Sequence, residues 1–238
     1  MSEQQQVGVL LIATRKYKQY VPALIEGVKK NFLLDHKITV FLFIDELFLC
    51  GGNSRVRITQ HLIPAYKFPE ATLYRYRIFR EHQNELMKMD YLYYFDVDMK
   101  FADVIGEEIF ENLVAVQHCG FYKGGGSWED RKESECYVLP EDRKRYYAGG
   151  FQGGSMRMYI AAMLIMDDMI KTDEDNGIIP IWHDESAWNK YLSVLTNFTE
   201  LPPSYCLVEQ IPLRKQWGVD HFKPKIIALA KNHNEIRS

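Results

Sequence analysis

Apolar residues occur along this chain in short, dense runs separated by polar stretches, and their lengths predict an α/β fold. VGVLLIA (Val7 to Ala13) and ITVFLFI (Ile38 to Ile44) are unbroken runs of strand length, the pattern of strands buried on both faces. Lys18 to Phe32 reads as a helix between them, and Val56 to Thr59 is a weaker third strand. Leu73 to Met89 reads as one helix with Arg75, Arg77 and Arg80 spread round it, leading into the strand YLYYF, Tyr91 to Phe95. Leu113 to Gln117 is a further strand, and Met156 to Ile170 and Ala187 to Leu195 are helical in pattern, the methionines of the first suiting core. The order strand, helix, strand, strand, helix, strand predicts a mainly parallel central sheet flanked by helices. No internal repeat or linker divides the 238 residues.

The strand at Tyr91 delivers Asp96, Val97 and Asp98 at its C-terminal end. If the extended conformation continues, Asp96 and Asp98 face the same way and share one ligand while Val97 anchors into the protein. Two carboxylates suit a hard divalent cation holding a diphosphate, because such metals keep positions open for substrate phosphates. The alternative is a pair of solvated carboxylates at a strand end. The chain has 32 acidic residues, and the run Asp173-Glu174-Asp175, with no strand before it, shows how such spacing arises by accident.

Other segments carry chemistry less specifically. Thr14 to Tyr17 follows the first strand where open α/β folds bind nucleotides, yet no glycine fingerprint accompanies it. KGGGSWEDRKESE reads as a mobile surface loop, and the four glycines of YYAGGFQGGS read as tight turns or a close backbone approach to a ligand. His183, Asp184, Glu185 and Ser186 precede a helix, where they serve either as caps or as catalytic groups. The tail KNHNEIRS is polar and, on composition alone, frayed.

Composition narrows the function classes. The formal charge of −3 and a pI near 6.2 provide no basic field for nucleic acid. No stretch reaches the roughly 18 apolar residues of a membrane span, and the start MSEQQQ is polar, so the expectation is a complete, soluble, cytoplasmic protein. Cys50, Cys119, Cys136 and Cys206 form no CxxC pair, so buried free thiols are expected rather than zinc.

YLYYFDVDMKF, HCGFY, YYAGGFQGGS, IIPIWHDESAWNKYL and AKNHNEIR, in this order and at these separations, resemble the retaining family-six glycosyltransferases. That family includes the blood-group A and B transferases, the α-1,3-galactosyltransferase and soluble bacterial relatives. The resemblance covers Val7 to Arg237 and implies a single GT-A type nucleotide-sugar-binding domain over residues 1–238, with 229–238 as a C-terminal lid. It implies that Asp96 and Asp98 bind Mn2+, with Mg2+ the second candidate, at the diphosphate of a UDP-sugar, and that Val97 borders the ribose. Some bacterial relatives have Asn at both acids and work without metal; retention of the acids here implies metal dependence. Ile12, Thr14 and Tyr17 match positions that hold uracil, Arg75 one near the donor sugar, and Lys231 and Arg237 the basic residues that close over the diphosphate.

By the same resemblance Glu185 is the catalytic nucleophile or ion-pair stabiliser, and Asp184 contacts the donor sugar. Either a covalent glycosyl-enzyme or a stabilised oxocarbenium ion retains configuration. His118, Ser127 and Trp182 match residues lining a galactose-containing oligosaccharide acceptor. Ala148, Gly149 and Gly150 fall in the donor-discriminating segment, where small residues at 148 and 150 leave room for an acetamide, so UDP-GalNAc is expected over UDP-Gal. Two other classes compete with this reading: a catalytically silent module binding a glycan or UDP-sugar, and a two-carboxylate glycoside hydrolase.

Overall fold

The structure is a computed structural model in which residues 3–236 are described. Its strands are β1 (Gln6–Ala13), β2 (Lys37–Ile44), β3 (Val56–Leu62), β4 (Tyr91–Phe95), β5 (Met99–Phe101), β6 (Leu113–Gln117), β7 (Tyr147–Ser155), β8 (Thr199–Leu201), β9 (Leu207–Val208) and β10 (Ile226–Ala228). Its α-helices are α1 (Val21–Asn31), α2 (Glu70–Leu73), α3 (Arg75–Glu81), α4 (Gln83–Leu86), α5 (Met156–Asp175), α6 (Asp184–Ser193), α7 (Ile211–Trp217) and α8 (His233–Ile236). The central sheet runs β3-β2-β1-β4-β7-β6-β8. Its β3-β2-β1-β4 half is parallel, whereas β7 lies antiparallel to both β4 and β6. The expected mixed α/β architecture with a mainly parallel sheet is present.

Alternate residues of β1 explain why the sequence shows an unbroken apolar run. Val7, Val9 and Leu11 face a core completed by Val21, Leu24 and Val28 of α1. Leu10 and Ile12 face a second core built on Tyr76 and Phe79 of α3, Met163 and Met166 of α5, and Trp188 of α6. Both faces are buried, so no polar position interrupts the strand. Removing this much apolar surface from water is the principal drive for the fold. The four cysteines are free thiols, three of them buried.

Four expectations from the sequence change. The helix expected from Lys18 starts at Val21, after a 3₁₀ segment over Arg15–Tyr20, because Pro22 favours the first turn of a helix. The single helix expected over Leu73 to Met89 is three short ones, broken at Tyr74 and His82. Both break residues are aromatic and held by neighbours: the Tyr74 ring lies 5.4 Å from Tyr66, and His82 lies 4.6 Å from His61 and 4.9 Å from Phe43. Tertiary packing there outweighs local propensity. The glycine segment is not a turn but most of β7, buried from Tyr147 to Gly154. The stretch after Lys123 is anchored rather than loose: Ser134 Oγ and the Glu135 amide donate to Asp173 of α5 at 2.6 and 2.7 Å. Asp173, expected to be incidental, is therefore a fully buried fastening point.

Gly153 shows why β7 needs glycine in a sheet interior. A Cβ there would stand 2.4 Å from the Leu92 carbonyl oxygen and 2.4 Å from the Tyr93 ring, closer than non-bonded atoms tolerate. Gly153→Ala is expected to cost about 1–3 kcal/mol by forcing β4 and β7 apart, measured as a lower urea midpoint at unchanged m-value.

Candidate active site

The C-terminal ends of β1 and β4 open into a cavity of about 150 Å³. Ile12, Thr14 and Tyr17 line one side, Asp96, Val97 and Asp98 the floor, and Lys231 and Ile236 close it from the C-terminal segment, with Tyr66, Phe68 and Thr72 also in its wall. The extended conformation expected through Asp98 ends at Phe95, and Val97 and Asp98 form a turn. Two hydrogen bonds fix it: the Asp96 amide donates to Gly150 O at 2.8 Å, and Asp98 O accepts from the Leu229 amide at 3.0 Å. Val97 is buried as expected, and both carboxylates border the one cavity.

The C-terminal segment packs over that cavity. β10 pairs antiparallel with β5, so the chain leaving β10 passes Asp98. Lys231 Nζ forms an ion pair with Asp98 Oδ2 and stands 5.2 Å from the Tyr17 ring centroid. Lys16 Nζ donates to Glu235 O at 2.7 Å. Arg237 lies outside the described residues.

Beneath the cavity, Arg75 of α3 is 2% exposed. Its Nη2 reaches Asp96 Oδ1 at 2.9 Å, its Nη1 reaches Asp184 Oδ2 at 2.5 Å, and Nη1 also donates to Gly149 O at 2.9 Å. The guanidinium lies 3.7 Å above the Tyr94 ring, whose hydroxyl donates to Asp96 Oδ1 at 2.6 Å. Burial works against charge on Arg75, but Asp184 and Asp96 with the Tyr94 ring overcome it and hold the guanidinium charged. Burial pushes Asp184 up to about 7 although Arg75 pulls the other way.

Glu185 sits one residue further along the first turn of α6. Its Oε2 accepts from the Gly149 amide at 2.7 Å and its Oε1 from the Tyr146 hydroxyl at 2.9 Å. Burial, with the charge of Glu185 adding to it, raises Tyr146 and keeps it a donor. Consecutive residues of β7 thus hold both ends of the site: Gly149 takes Glu185 and Gly150 takes Asp96. A Cβ at Gly150 would lie 3.0 Å from Asp96 Oδ2 and 2.5 Å from Met99 Cε. Ala148 beside them is buried.

His118, Ser127 and Trp182 gather round Glu185. Trp182 O accepts from the Glu185 amide at 3.0 Å, and Trp182 Nε1 donates to Ser127 Oγ. Trp182 is 48% exposed, an apolar ring open to a ligand. The His118 ring lies 5.8 Å from Tyr146. Burial lowers its pKa, with Glu185 opposing, and Nδ1 accepts from the Gly120 amide at 3.1 Å, so the neutral ring carries its proton on Nε2. Glu129 clasps these pieces together. It accepts from the Ile181 amide at 2.8 Å and from Arg131, whose Nη2 also donates to Ile179 O at 2.6 Å.

Among the described residues no group of three or more His, Cys, Asp or Glu side chains comes together as a metal cage. Asp96 and Asp98 are instead two carboxylates beside an open cavity, and Asp98 already draws the ammonium of Lys231. This donor set fits a divalent cation that completes its coordination with substrate phosphates.

The family model described as Glycosyltransferase family 6 matches residues 1–238. The chain belongs to glycosyltransferase family 6. It is 29% identical over 243 residues to the "Histo-blood group ABO system transferase 1" of Rattus norvegicus, covering 98% of this chain and 68% of the relative. It is 24% identical to the "Globoside alpha-1,3-N-acetylgalactosaminyltransferase 1" of Gallus gallus, covering 98% and 69%, and 24% identical to the "O-antigen biosynthesis glycosyltransferase WbnI" of Escherichia coli, covering 78% and 81%. As a glycosyltransferase of this family, the chain has a nucleotide-sugar donor and a glycan acceptor. No helix among the described residues is long and apolar enough to cross a membrane.

Several residues of this family-6 site had no signal in the sequence. Tyr94, Tyr146 and Gln152 act through hydroxyl and amide groups on otherwise apolar or glycine-rich strands; a polar atom at an inward strand position was the only available clue. Arg75 was singled out but lies under the cavity rather than among its lining residues. Arg75→Met leaves Asp96 and Asp184 without their buried cation and is expected to destabilise the protein by about 3–5 kcal/mol at pH 8. Asp184 has a folded-state value near 7 against an ordinary 3.8, so the cost of its charge is full above about pH 7 and shrinks as pH falls from 7 towards 3.8. Loss of Arg75, which pulls that value down, raises it further, so the deficit of Arg75→Met relative to wild type should narrow as pH falls from 8 to 7 and change little from 7 to 5, read from paired urea titrations.

Proposed function

We propose that the protein transfers N-acetylgalactosamine, in preference to galactose, from its UDP-linked donor to a galactose-terminated oligosaccharide, in α-1,3 linkage and with retention of configuration. The observation that carries this reading is the pinning of Asp96 and Glu185 to adjacent residues of β7, at 2.8 Å through the Asp96 amide and 2.7 Å through the Glu185 carboxylate. A carboxylate proposed to bind the cation and a candidate nucleophile thereby share one rigid support between the cavity at the β1 and β4 ends and an open tryptophan. The names of two relatives, an ABO transferase and a globoside α-1,3-N-acetylgalactosaminyltransferase, agree with that class.

In this reading the wall of Ile12, Thr14 and Tyr17 takes the uracil, and Val97 borders the ribose. Asp96 and Asp98 would hold Mn2+ or Mg2+, which when bound supplies Lewis-acid neutralisation of the leaving diphosphate. Lys231 adds a positive charge from the closing segment, and the tail beyond it completes the lid. Arg75 keeps Asp96 and Asp184 fixed, so neither carboxylate must reorganise when the donor sugar arrives beside Asp184. Glu185, oriented by the Gly149 amide and the Tyr146 hydroxyl, faces the anomeric carbon as nucleophile or as the counter-charge of an oxocarbenium ion. Trp182 stacks on the acceptor galactose, with Ser127 fixing its indole and His118 donating from Nε2. The preference for the acetamide is taken from the small residues at 148 and 150, and the glycine at 150 also lets Met99 and Asp96 pack against the strand.

Two measurements test this. UDP release should be faster from UDP-GalNAc than from UDP-Gal, should fall to background with a chelator and should return with Mn2+; equal rates would remove the donor assignment, and chelator-resistant release would remove the metal. Glu185→Gln is expected to leave UDP affinity within about twofold of wild type while lowering transfer by about 10³-fold. Near wild-type transfer in that variant would displace Glu185 from its role, and no transfer by the wild type to any acceptor would favour a silent binding module.

A further inference from the structure

Beyond the ring of Tyr146, on the side away from the nucleotide cavity, lies a separate cleft of about 370 Å³ lined by Phe121, Tyr122, Lys123, Lys144 and Arg145, with Gln117 at its edge. The cleft borders the acceptor side of the site through Phe121. The Phe121 ring stands 5.1 Å from Tyr146 and 5.0 Å from His118, and the Tyr146 hydroxyl is bonded to Glu185. The residues after Lys123 lead directly to Ser127, the partner of Trp182. An acceptor chain whose terminal galactose lies at Trp182 and His118 therefore has this cleft as its next stop.

Its chemistry differs from the rest of the surface. The protein carries a formal charge of −3, yet three cations and no carboxylate are among the described residues lining this cleft. Arg145 is neutralised by Glu200 at 2.5 Å. Lys123 rests on Gly218 at the end of α7 and makes only a long 3.4 Å contact to Gln216 O, and no ion pair to Lys123 or Lys144 is found among the described residues. Two ammonium groups are thus left to a ligand. Beside them Phe121 and Tyr122 offer half-buried aromatic faces of the kind that sugars stack on, and Gln117 offers an amide for a hydroxyl. A neutral oligosaccharide would use the rings and leave the charges idle; an anionic one uses both.

We infer that the cleft between Phe121–Lys123 and Lys144–Arg145 is a second acceptor subsite that takes an anionic group, a carboxylate or a phosphate, carried by the acceptor on the sugar beyond its galactose. The inference rests on the acceptor side assigned under Proposed function, and it narrows the natural acceptor to an acidic glycan or a glycan phosphate.

The test uses binding and therefore does not depend on transfer. Three β-galactosides differing only in the second sugar, a neutral hexose, a uronic acid or a hexose 6-phosphate, are titrated by calorimetry into the full-length protein at low salt, and into the double variant Lys123→Gln/Lys144→Gln. At least one anionic saccharide is expected to bind wild type about tenfold more tightly than the neutral one, and to lose that advantage in the double variant and at high salt. An advantage confined to the uronic acid assigns an acidic sugar, and one confined to the phosphate assigns a phosphorylated glycan. Equal affinities for all three saccharides, or an advantage that survives the double variant, would overturn the subsite. Failure of the transferase reading would show elsewhere, as absence of UDP release with every acceptor, so the two failures are separable.

Discussion

One buried cation governs the geometry of this site. Arg75 contacts Asp96 at the end of β4, Asp184 at the start of α6 and the Gly149 carbonyl in β7, three segments far apart in sequence. A guanidinium is suited to this because its planar fork offers several donors in fixed directions and stays charged when buried. Removing the Asp184 carboxylate from water is unfavourable unless a counter-charge accompanies it, and Asp96, whose side chain is 38% exposed, shares the same cation. The fold meets that requirement with Arg75 below and the Tyr94 hydroxyl beside. The consequence is positional: the strand end that carries Asp96 and Asp98 is tied to the helix that carries Glu185.

The second constraint is the absence of side chains on β7. Glycine inside a strand costs backbone entropy and forgoes packing, and β7 contains four. Gly153 lets the Leu92 backbone come close, and Gly150 lets Asp96 stand beside the strand. These glycines exchange local stability for proximity, which allows Asp96 and Glu185 to share one short piece of backbone. Groups tied by hydrogen bonds to a central strand are held more narrowly than groups on a free loop, and narrow positioning is what electrostatic preorganisation requires.

Much of this was legible before any coordinates, for identifiable reasons. The runs Val7–Ala13 and Tyr91–Phe95 announced buried strands because both of their faces meet apolar layers. The Asp96–Asp98 spacing put both acids towards one place, and both do border one cavity, although through a turn and not through continued extension. The helix breaks at Tyr74 and His82 were hidden because ring contacts from elsewhere in the sequence produce them. The role of Asp173 was hidden for a similar reason: its partners, Ser134 and Glu135, lie some 40 positions earlier, at separations of 39 and 38 residues. The glycine segment misled in the opposite direction. Composition signalled a turn, whereas the requirement was close approach of two neighbouring strands.

Charge is arranged in a sequence along the active face, and that arrangement accounts for more than any single pair. Lys231 and the two acids of the β4 end meet at the cavity beside β1. Arg75 with Asp96 and Asp184 forms the buried centre. Glu129 with Arg131 fastens the acceptor loop to the segment bearing Trp182, and hydrogen bonds and ion pairing outweigh burial to hold the Glu129 carboxyl down to about 2. Each acidic group in the centre and at the loop has its partner supplied by the protein, so the charges there are fixed in place and contribute orientation. Cations without a carboxylate partner occur at the outer end, at Lys123 and Lys144, in a cleft that opens to solvent. A surface that satisfies its inner charges internally and leaves its outer cations to a ligand separates two tasks: the centre is built to hold reacting atoms still, and the outer end is built to distinguish one glycan from another.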